Sequence, residues 1–426
     1  MSQETTTPTF DQLNIQQQAV ATTIEGGENV MVTGPAGTGK SFLLRYLREK
    51  FPKMPVTAST GIAALGVGGC TLHSWAGLGL GQEPAEVIAK KHNERQNGVW
   101  YAMKTAERLA IDEISMVDAD LFDKLDKVLR IVRQSPRPFG GLQLILFGDF
   151  LQLPPVEKEG NAVRFAFQSK VWAEARIHVY VLSQVMRQKD QQFASILSRI
   201  RVGDTSEDVR AVLRPRINAA DPNPEISPVS LATHNSIADR INAENLAKIK
   251  EEEVRFEAQD WSDGKFNGET LDKNCIAPKT LILKVGAQVM LLWNLDVGAG
   301  LVNGSLGVVI EIRKDKFRGT TPVVKFSNGM ILELERQQWS LSRNGDVLAS
   351  RQQFPLRLSW GISIHKSQGM TLEKVRVHIK QCFADGQAYV AMSRAKSLEG
   401  LFIADINGNS IRANSTALEF YKQHAA

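Results

Sequence analysis

Gly34-Pro35-Ala36-Gly37-Thr38-Gly39-Lys40-Ser41 is the stretch that decides the fold. It fits the pattern G-x-x-x-x-G-K-[ST]. It also sits where that pattern has meaning, after a predicted buried strand, Glu28–Thr33, and before a predicted helix, Phe42–Phe51, with Leu43, Leu44 and Leu47 on one face. Glycines let successive backbone amides curl around phosphate oxygens, and the helix N-terminus adds its positive end. Lys40 is placed to neutralise the β- and γ-phosphates and Ser41 to ligate Mg²⁺. The whole run from Gly34 to Ser41 is therefore expected to hold ATP.

Outward from this loop, strands and helices alternate. Val56–Ser59 and Leu109–Ile111 read as strands, and the second runs into Asp112-Glu113-Ile114-Ser115. In P-loop ATPases an acid at this point holds Mg²⁺ and its neighbour can orient the attacking water, so Asp112 is the expected metal ligand and Glu113 the expected general base. Asp120–Arg133 is an amphipathic helix that Asp118 or Asp120 can cap. Leu142–Phe147 is an apolar strand ending at Gly148-Asp149-Phe150-Leu151-Gln152-Leu153-Pro154-Pro155, at the carboxyl end where an α/β sheet carries its ligands. Gln152 is the candidate sensor of the γ-phosphate. With Val179–Leu182 as a further strand, the alternation predicts a parallel sheet covered by helices.

The second half repeats the style, with Val229–Ala232 as strand and Ser236–Ile249 as helix. From about Thr280 to Ser340 the pattern changes to short alternating runs punctuated by Asn303-Gly304 and Asn328-Gly329, which reads as an antiparallel β-unit inserted into a second α/β lobe. The α/β pattern returns at Ser359–Ser363, Val375–Ile379, Gln387–Lys396 and Leu401–Ala404. Hydrolysis needs positive charge at the departing phosphate, and two arginines of this half are candidate fingers, Arg187 and Arg394. Phosphates and bases of nucleic acid would be met by small hydroxyls, amides and aromatic rings. Two loops offer them: Thr57–Gly79, with Thr60, His73, Ser74 and Trp75, and Ser363-Ile364-His365-Lys366-Ser367-Gln368-Gly369.

Composition sets the bounds. The 426 residues are 43% hydrophobic and 23% charged, the balance of a globular protein of several units. No apolar run approaches the ~18 residues of a membrane span, and Met1–Phe10 reads as neither a secretory nor an organelle signal, so the expectation is a cytoplasmic chain of bacterial or phage type, or one trimmed of its targeting segment. Cys70, Cys275 and Cys382 are scattered and odd in number, against a disulfide framework or a zinc site. A net charge of +5 suits a polyanionic partner but is shared by many proteins.

Taken together, these segments resemble superfamily-1 helicases, most closely the petite-integration-frequency (PIF) DNA helicase family, relatives of RecD and Dda. Leu13-Asn14-Ile15-Gln16-Gln17 resembles the Q motif, with Gln16 where Glu is usual and Gln17 reading adenine. Thr60-Gly61-Ile62-Ala63-Ala64 through Thr71-Leu72-His73-Ser74 resembles motif Ia, Asp112–Ser115 motif II and Gly148–Val156 motif III. Phe122–Leu125 through Pro138–Leu144 is similar to the family's signature. Arg187-Gln188 resembles motif IV, Leu301–Gly307 the 2B insertion, Ser363–Thr371 motif V with Ser363 where Thr is usual, and Tyr389–Ala395 motif VI. The resemblance implies an α/β fold of two RecA-like lobes. Lobe 1A would take residues 1–80 and 105–183, a small 1B insertion 81–104, lobe 2A residues 184–265 and 350–426, and a 2B β-barrel 266–349. Trp100 or Tyr101 of 1B becomes a candidate strand-separating pin. Gln368 and Gly369 join the ATP ligands, and Thr60, Gly61, His73, Trp75, Ser363, His365 and Lys366 become the DNA contacts. It further implies 5′→3′ movement on single-stranded DNA, action at single-strand–duplex junctions and on G-quadruplexes, and roles in replication, repair, recombination and telomere maintenance. The chain reads as a monomer, with dimerisation on DNA left open.

Three rival readings share part of this pattern. A ring-forming ATPase would take its fingers from a neighbour, whereas both candidate fingers here lie in one chain, which favours a monomer. A P-loop phosphotransferase would use Gly34–Ser41 and Asp112 but has no need of a second α/β lobe with its own arginines. A silent nucleic-acid-binding module would not need an intact Lys40, Asp112 and Glu113.

Overall fold

The computed structural model describes residues 8–79, 83–155, 164–184, 191–221, 225–262, 271–272, 275–296, 298–315, 319–343, 346–406 and 410–424. The chain divides into two compact units. One comprises Met1–Arg187, Leu341–Val347 and Ala413–Ala426, and the other Gln188–Ser340 and Leu348–Arg412.

The first unit is built on a six-stranded sheet. Its strands are β1 (Val30–Thr33), β2 (Val56–Ala58), β3 (Cys70–Thr71), β4 (Arg108–Asp112), β5 (Gln143–Phe147) and β6 (His178–Val181), in the order β3-β2-β4-β5-β1-β6. Every pairing is parallel. All residues of β1 and β5 are buried, as continuous apolar runs covered on both faces must be. The helices are α1 (Ile15–Glu25), α2 (Lys40–Lys50), α3 (Gly61–Gly66), α4 (Leu72–Trp75), α5 (Ala85–Arg95), α6 (Gly98–Thr105), α7 (Ala119–Arg133) and α8 (Lys170–Glu174). In α7, Phe122, Leu125, Val128, Leu129 and Val132 are all buried. Of the two candidate caps, Asp118 does the work, accepting the Leu121 N–H at 2.6 Å, while Asp120 pairs with Arg164.

The segment 83–104, polar and irregular as sequence, folds as α5 and α6. Ala85, Ile88 and Ala89 of the one, and Val99, Ala102 and Met103 of the other, are buried at helical spacing, and Asn97 caps α6 by accepting from Val99 and Trp100 N–H. Tyr101 is exposed. Trp100 is half-buried and donates its indole N–H to Asn93 Oδ1 at 2.9 Å.

The second unit combines a parallel sheet with an antiparallel β-subdomain. Its elements are α9 (Gln191–Arg201), α10 (Glu207–Leu213), β7 (Val229–Ala232), α11 (Asn235–Lys248), β8 (Val254–Glu257), β9 (Gln259–Ser262), β10 (Thr280–Leu283), β11 (Gln288–Leu291), β12 (Leu306–Asp315), β13 (Gly319–Phe326), β14 (Ile331–Glu333), β15 (Gln337–Arg343), β16 (Asp346–Gln353), β17 (Leu356–Leu358), β18 (Gly361–Ser363), β19 (Val375–His378), α12 (Gln387–Met392) and β20 (Leu401–Asp405). The parallel sheet has the order β18-β7-β19-β20. The β-subdomain forms three sheets, β14-β13-β12-β11-β17, β15-β16-β9 and β10-β8, around Leu281, Leu283, Val289, Leu291, Val324 and Phe354. Asn328-Gly329 turns the β13–β14 hairpin as expected, with Gly329 at φ 85°. Asn303-Gly304 does not turn a hairpin. It lies in the loop before β12, where a Cβ on Gly304 would stand 2.7 Å from the Thr371 carbonyl oxygen.

Two expected boundaries move. Strands β8 and β9 pair with β10 and β16, and β17 pairs with β11, so the β-subdomain draws on residues 254–358 and not only 266–349. The last helix, α13 (Ser415–His424), belongs with the first unit and not with lobe 2A. Its Phe420 packs among Phe150, Phe167 and Trp172. Among the described residues no helix is long and apolar enough to cross a membrane.

Candidate functional site

The first unit assembles its candidate residues at the carboxyl ends of β1, β4 and β5, which are adjacent in the sheet. After β1 the chain turns through Gly34, Gly37 and Gly39 at φ 141°, 85° and 84°. These are backbone conformations that side chains disfavour. A Cβ on Gly34 would stand 2.3 Å from the Leu182 carbonyl oxygen, so the loop is seated against the end of β6. Thr38 Oγ1 donates to the Pro35 carbonyl at 2.9 Å and closes the loop on itself. Lys40 Nζ donates to the carbonyls of Gly34 at 2.7 Å and Pro35 at 3.0 Å, so its ammonium lies over the loop that is expected to cradle phosphates. Ser41 is exposed in the first turn of α2.

Gln17 belongs to the same assembly. Asn14 and Gln17 form a capping box at the start of α1: the Asn14 Oδ1 accepts the Gln17 N–H, and the Gln17 Oε1 accepts the Asn14 N–H. The remaining end of the amide, Nε2, donates to the Gly39 carbonyl at 3.3 Å. Gln16 ties α1 to the end of β6 through the Ser183 hydroxyl and N–H.

At the end of β4, Asp112 Oδ1 accepts the Glu113 N–H at 2.9 Å. Protein crowds the carboxylate although one side stays open, and this desolvation pushes it up to about 6; the Glu113 N–H and the charge of Lys40 pull the other way. A carboxylate that is costly to ionise, facing an ammonium, suits a divalent cation better than water alone. The ligand set would be Asp112 and Ser41 completed by phosphate oxygens, as Mg²⁺ prefers. Among the described residues no cluster of three His, Cys, Asp or Glu offers an all-protein metal site. Glu113 takes φ 53°, ψ 46°, a left-handed conformation uncommon for a non-glycine residue and concentrated at functional sites. Gly148, at φ 154°, lets the next strand end approach this turn, since a Cβ there would stand 2.9 Å from the Ile114 nitrogen.

Gln152, at the third strand end, is buried, and its N–H donates to the Asp149 carbonyl. Asp149 is fully buried, and its Oδ1 accepts from Leu151 N–H and from the Tyr421 hydroxyl at 3.1 Å each. Tyr421 was not legible as a site residue. Its hydroxyl also contacts Thr33 Oγ1 at 2.6 Å, one residue before the phosphate loop, and accepts the Phe150 N–H at 3.0 Å. The only signal in the sequence is the Phe420-Tyr421 pair on a C-terminal helix. A cleft of ≈ 730 Å³ elsewhere in this unit, lined by Asp123, Lys124, Lys127, Arg130 and others, contains none of these residues.

The expected nucleic-acid residues fare differently. Thr60 caps α3, its Oγ1 accepting the Ala63 N–H, and Gly61 follows, half-buried. His73 is half-buried in α4. Trp75 corrects the expectation: it is 2% exposed, within the core cluster that also holds Leu72, Ile88 and Val99, so its rings have no face for a base. Ser363 is a second correction. It is buried, its hydroxyl donates to Asn235 Oδ1 at 2.6 Å and accepts the Lys366 N–H, so it shapes the loop from inside. His365 is exposed and Lys366 half-buried on the same loop, with Gln368 and Gly369 following, the latter at φ 79°. Arg394 is 2% exposed; its Nε donates to the Val390 carbonyl and its Nη2 to Ser393 Oγ, while Nη1 reaches the Ser367 and Met370 carbonyls. Arg187 lies outside the described residues.

Known proteins match the chain along its length. The family described as PIF1-like helicase matches residues 10–211, and the DNA helicase Pif1 2B domain matches residues 267–312. The human ATP-dependent DNA helicase PIF1 is 44% identical over 416 residues, which cover 97% of this chain and 64% of that protein; the chain thus spans under two thirds of that relative's length. A solved structure of Bacteroides Pif1 in complex with ADP-AlF4 is 33% identical, covers 97% of each chain and superposes with a TM-score of 0.82. The Pif1 helicase structure from Candida albicans is 39% identical, covers 96% of this chain and 99% of that chain, with a TM-score of 0.77.

Proposed function

This chain belongs to the PIF1-like helicase family, and we propose that it hydrolyses ATP to move 5′→3′ along single-stranded DNA and to unwind the duplex it meets. The observation that carries the reading is the meeting of Lys40 and Asp112 beside the loop Gly34–Ser41, in a fold whose relative was solved with ADP-AlF4.

In the proposed mechanism Gln17 borders the adenine, and the amides of Gly34–Ser41, with Lys40, take the phosphates. Ser41 and Asp112 would hold Mg²⁺, which when bound neutralises phosphate oxygens as charge develops. Glu113 accepts the proton of the attacking water, Gln152 responds to the γ-phosphate, and Arg187 and Arg394 supply the finger charge, with Gln368 and Gly369 at the same nucleotide. Thr60, Gly61, His73, His365 and Lys366 meet the DNA strand, and the exposed Tyr101 is the better candidate for the pin than the half-buried Trp100. Forked junctions and G-quadruplexes are the proposed substrates, and replication, repair, recombination and telomere maintenance the proposed settings.

The test is ATP hydrolysis with and without a single-stranded oligonucleotide at fixed low salt, repeated with Glu113→Gln. The reading expects strong stimulation by DNA, and a variant that still binds nucleotide but hydrolyses it at least a hundredfold more slowly, the scale of a lost general base. A DNA-insensitive rate would sever the link to a DNA track. Unwinding only of substrates with a 3′ tail would overturn the polarity.

A further inference from the structure

The parallel sheet of the second unit presents three loops side by side, because β18, β7 and β19 are neighbours. The loop after β18 carries His365 and Lys366. That after β7 carries His234. The one after β19 carries Phe383, which is 56% exposed although a phenylalanine gains from burial. Phe383 and His234 stack, with ring centroids 5.3 Å apart and planes 22° from parallel. The backbone beneath the ring is fastened on both sides: the Phe383 N–H donates to Gln387 Oε1 at 2.9 Å, and its carbonyl accepts from Arg412 Nη2. Gln387 is fully buried at the start of α12, so the exposed ring stands on a fixed base.

Polar donors follow on the adjoining loop, where His365 interacts with His234 and Lys366 comes next in sequence. Partial desolvation and the neighbouring His234 hold His365 below its ordinary value; partial desolvation and Arg357 do the same to Lys366, against the opposing pull of Asp239. An exposed flat ring beside an imidazole and a lysine on the neighbouring loop is an arrangement that accepts a base against the ring and its phosphate against the N–H donors.

We infer that Phe383, backed by His234, is a stacking platform for a base of single-stranded DNA on the second lobe. The inference deepens the DNA-translocase reading and rests on it. The nucleobase lies on the open face of the Phe383 ring, and His365 and Lys366 meet the adjoining phosphates. Stacking is indifferent to base identity, as a translocating protein requires.

The experiment measures binding of the full chain to a fluorescein-labelled oligothymidylate by anisotropy, at fixed salt, beside an abasic oligomer of equal length that keeps every phosphate. Phe383→Ala is expected to weaken oligothymidylate binding roughly tenfold, within the range of one lost aromatic–base stack, and to leave abasic binding within about twofold. Phe383→Trp should restore it. Equal affinity of wild type and Phe383→Ala for oligothymidylate would overturn the platform. So would equal losses on both oligomers, which would assign the effect to the fold and not to the base. A wild-type chain that binds neither oligomer would instead sink the DNA-translocase reading, and the platform with it.

Discussion

Tyr421→Phe is the substitution that most directly tests how the ATPase unit is held together. The change deletes one oxygen and keeps the ring. That oxygen contacts Thr33 Oγ1 at 2.6 Å, the Phe150 N–H at 3.0 Å and Asp149 Oδ1 at 3.1 Å, so it joins the residue before the phosphate loop to the residues that follow β5. Without it a backbone N–H and a fully buried carboxylate each lose a partner. Leaving such groups unsatisfied costs about 1–3 kcal/mol, and the half-buried position of Tyr421, which admits water, places the expected loss at about 1–2 kcal/mol. For a unit of this size that is a fall in melting temperature of roughly 2–8 °C. The loosened Asp149 turn should also lower kcat about fivefold, which corresponds to roughly 1 kcal/mol of transition-state stabilisation, with little change in KM for ATP. Differential scanning fluorimetry and steady-state hydrolysis with saturating oligonucleotide read both quantities. A variant with wild-type melting and wild-type kcat would refute the idea that this hydroxyl couples α13 to the nucleotide loop.

Three further outcomes follow from the geometry. Gly34→Ala should abolish nucleotide binding and lower stability by about 1–3 kcal/mol, because its Cβ would meet a backbone carbonyl at 2.3 Å. Gly39→Ala should be milder, because its Cβ meets only the movable end of Gln17, and ADP affinity with melting curves would rank the two. Arg351, 1% exposed, bridges Asp260 and Asp272 within the β-subdomain; Arg351→Ala should cost toward the lower end of about 3–5 kcal/mol, since Asp272 keeps 41% exposure, and should lower the unfolding transition of the second unit in calorimetry. Burial pushes the Cys382 thiol up to about 12, so at pH 8 the reactive thiolate fraction is only about 10⁻⁴. Cys382 should therefore resist iodoacetamide in the native chain and label on unfolding, and rapid native labelling located by peptide mapping would contradict its placement.

How much of this was legible depends on where each residue's partners lie. Gly34–Ser41 could be read because its chemistry and its backbone conformation are both local: glycines at positive φ, a lysine and a hydroxyl within eight positions. Asp112 and Gly148 could be read because each ends an apolar run. Tyr421 could not, since its partner Thr33 is 388 positions away and nothing in a helix of mixed composition marks one hydroxyl. Helices α5 and α6 were hidden because each buries only three or four residues, too few to show through a charged average. Trp75 misled for the opposite reason. An indole among glycines suits a base and a core equally, and only its burial in the folded unit decides. The early edge of the β-subdomain was missed because β8 and β9 are short and find their partners, β10 and β16, only roughly 25 and 90 positions later.

If Arg394 is the proposed finger, one residue has to meet two demands. Its firm bonds, 2.9 Å from Nε to the Val390 carbonyl and 2.8 Å from Nη2 to Ser393 Oγ, lie within motif VI. Its Nη1 contacts, 3.4 and 3.3 Å to the Ser367 and Met370 carbonyls, are long and weak. In the proposed finger role, Nη1 would trade a carbonyl contact for a phosphate oxygen while Nε and Nη2 stay anchored. Arg394→Lys separates the roles, because an ammonium keeps the charge and loses the fork. The expected outcome is a fall in kcat of about 10³-fold or more, the lower range for a lost finger, with ATP affinity nearly unchanged and a loss of only a few degrees in melting. If Arg394→Lys hydrolysed ATP at the wild-type rate, the anchored-fork argument would fail and the brace between motifs V and VI would be the residue's whole role.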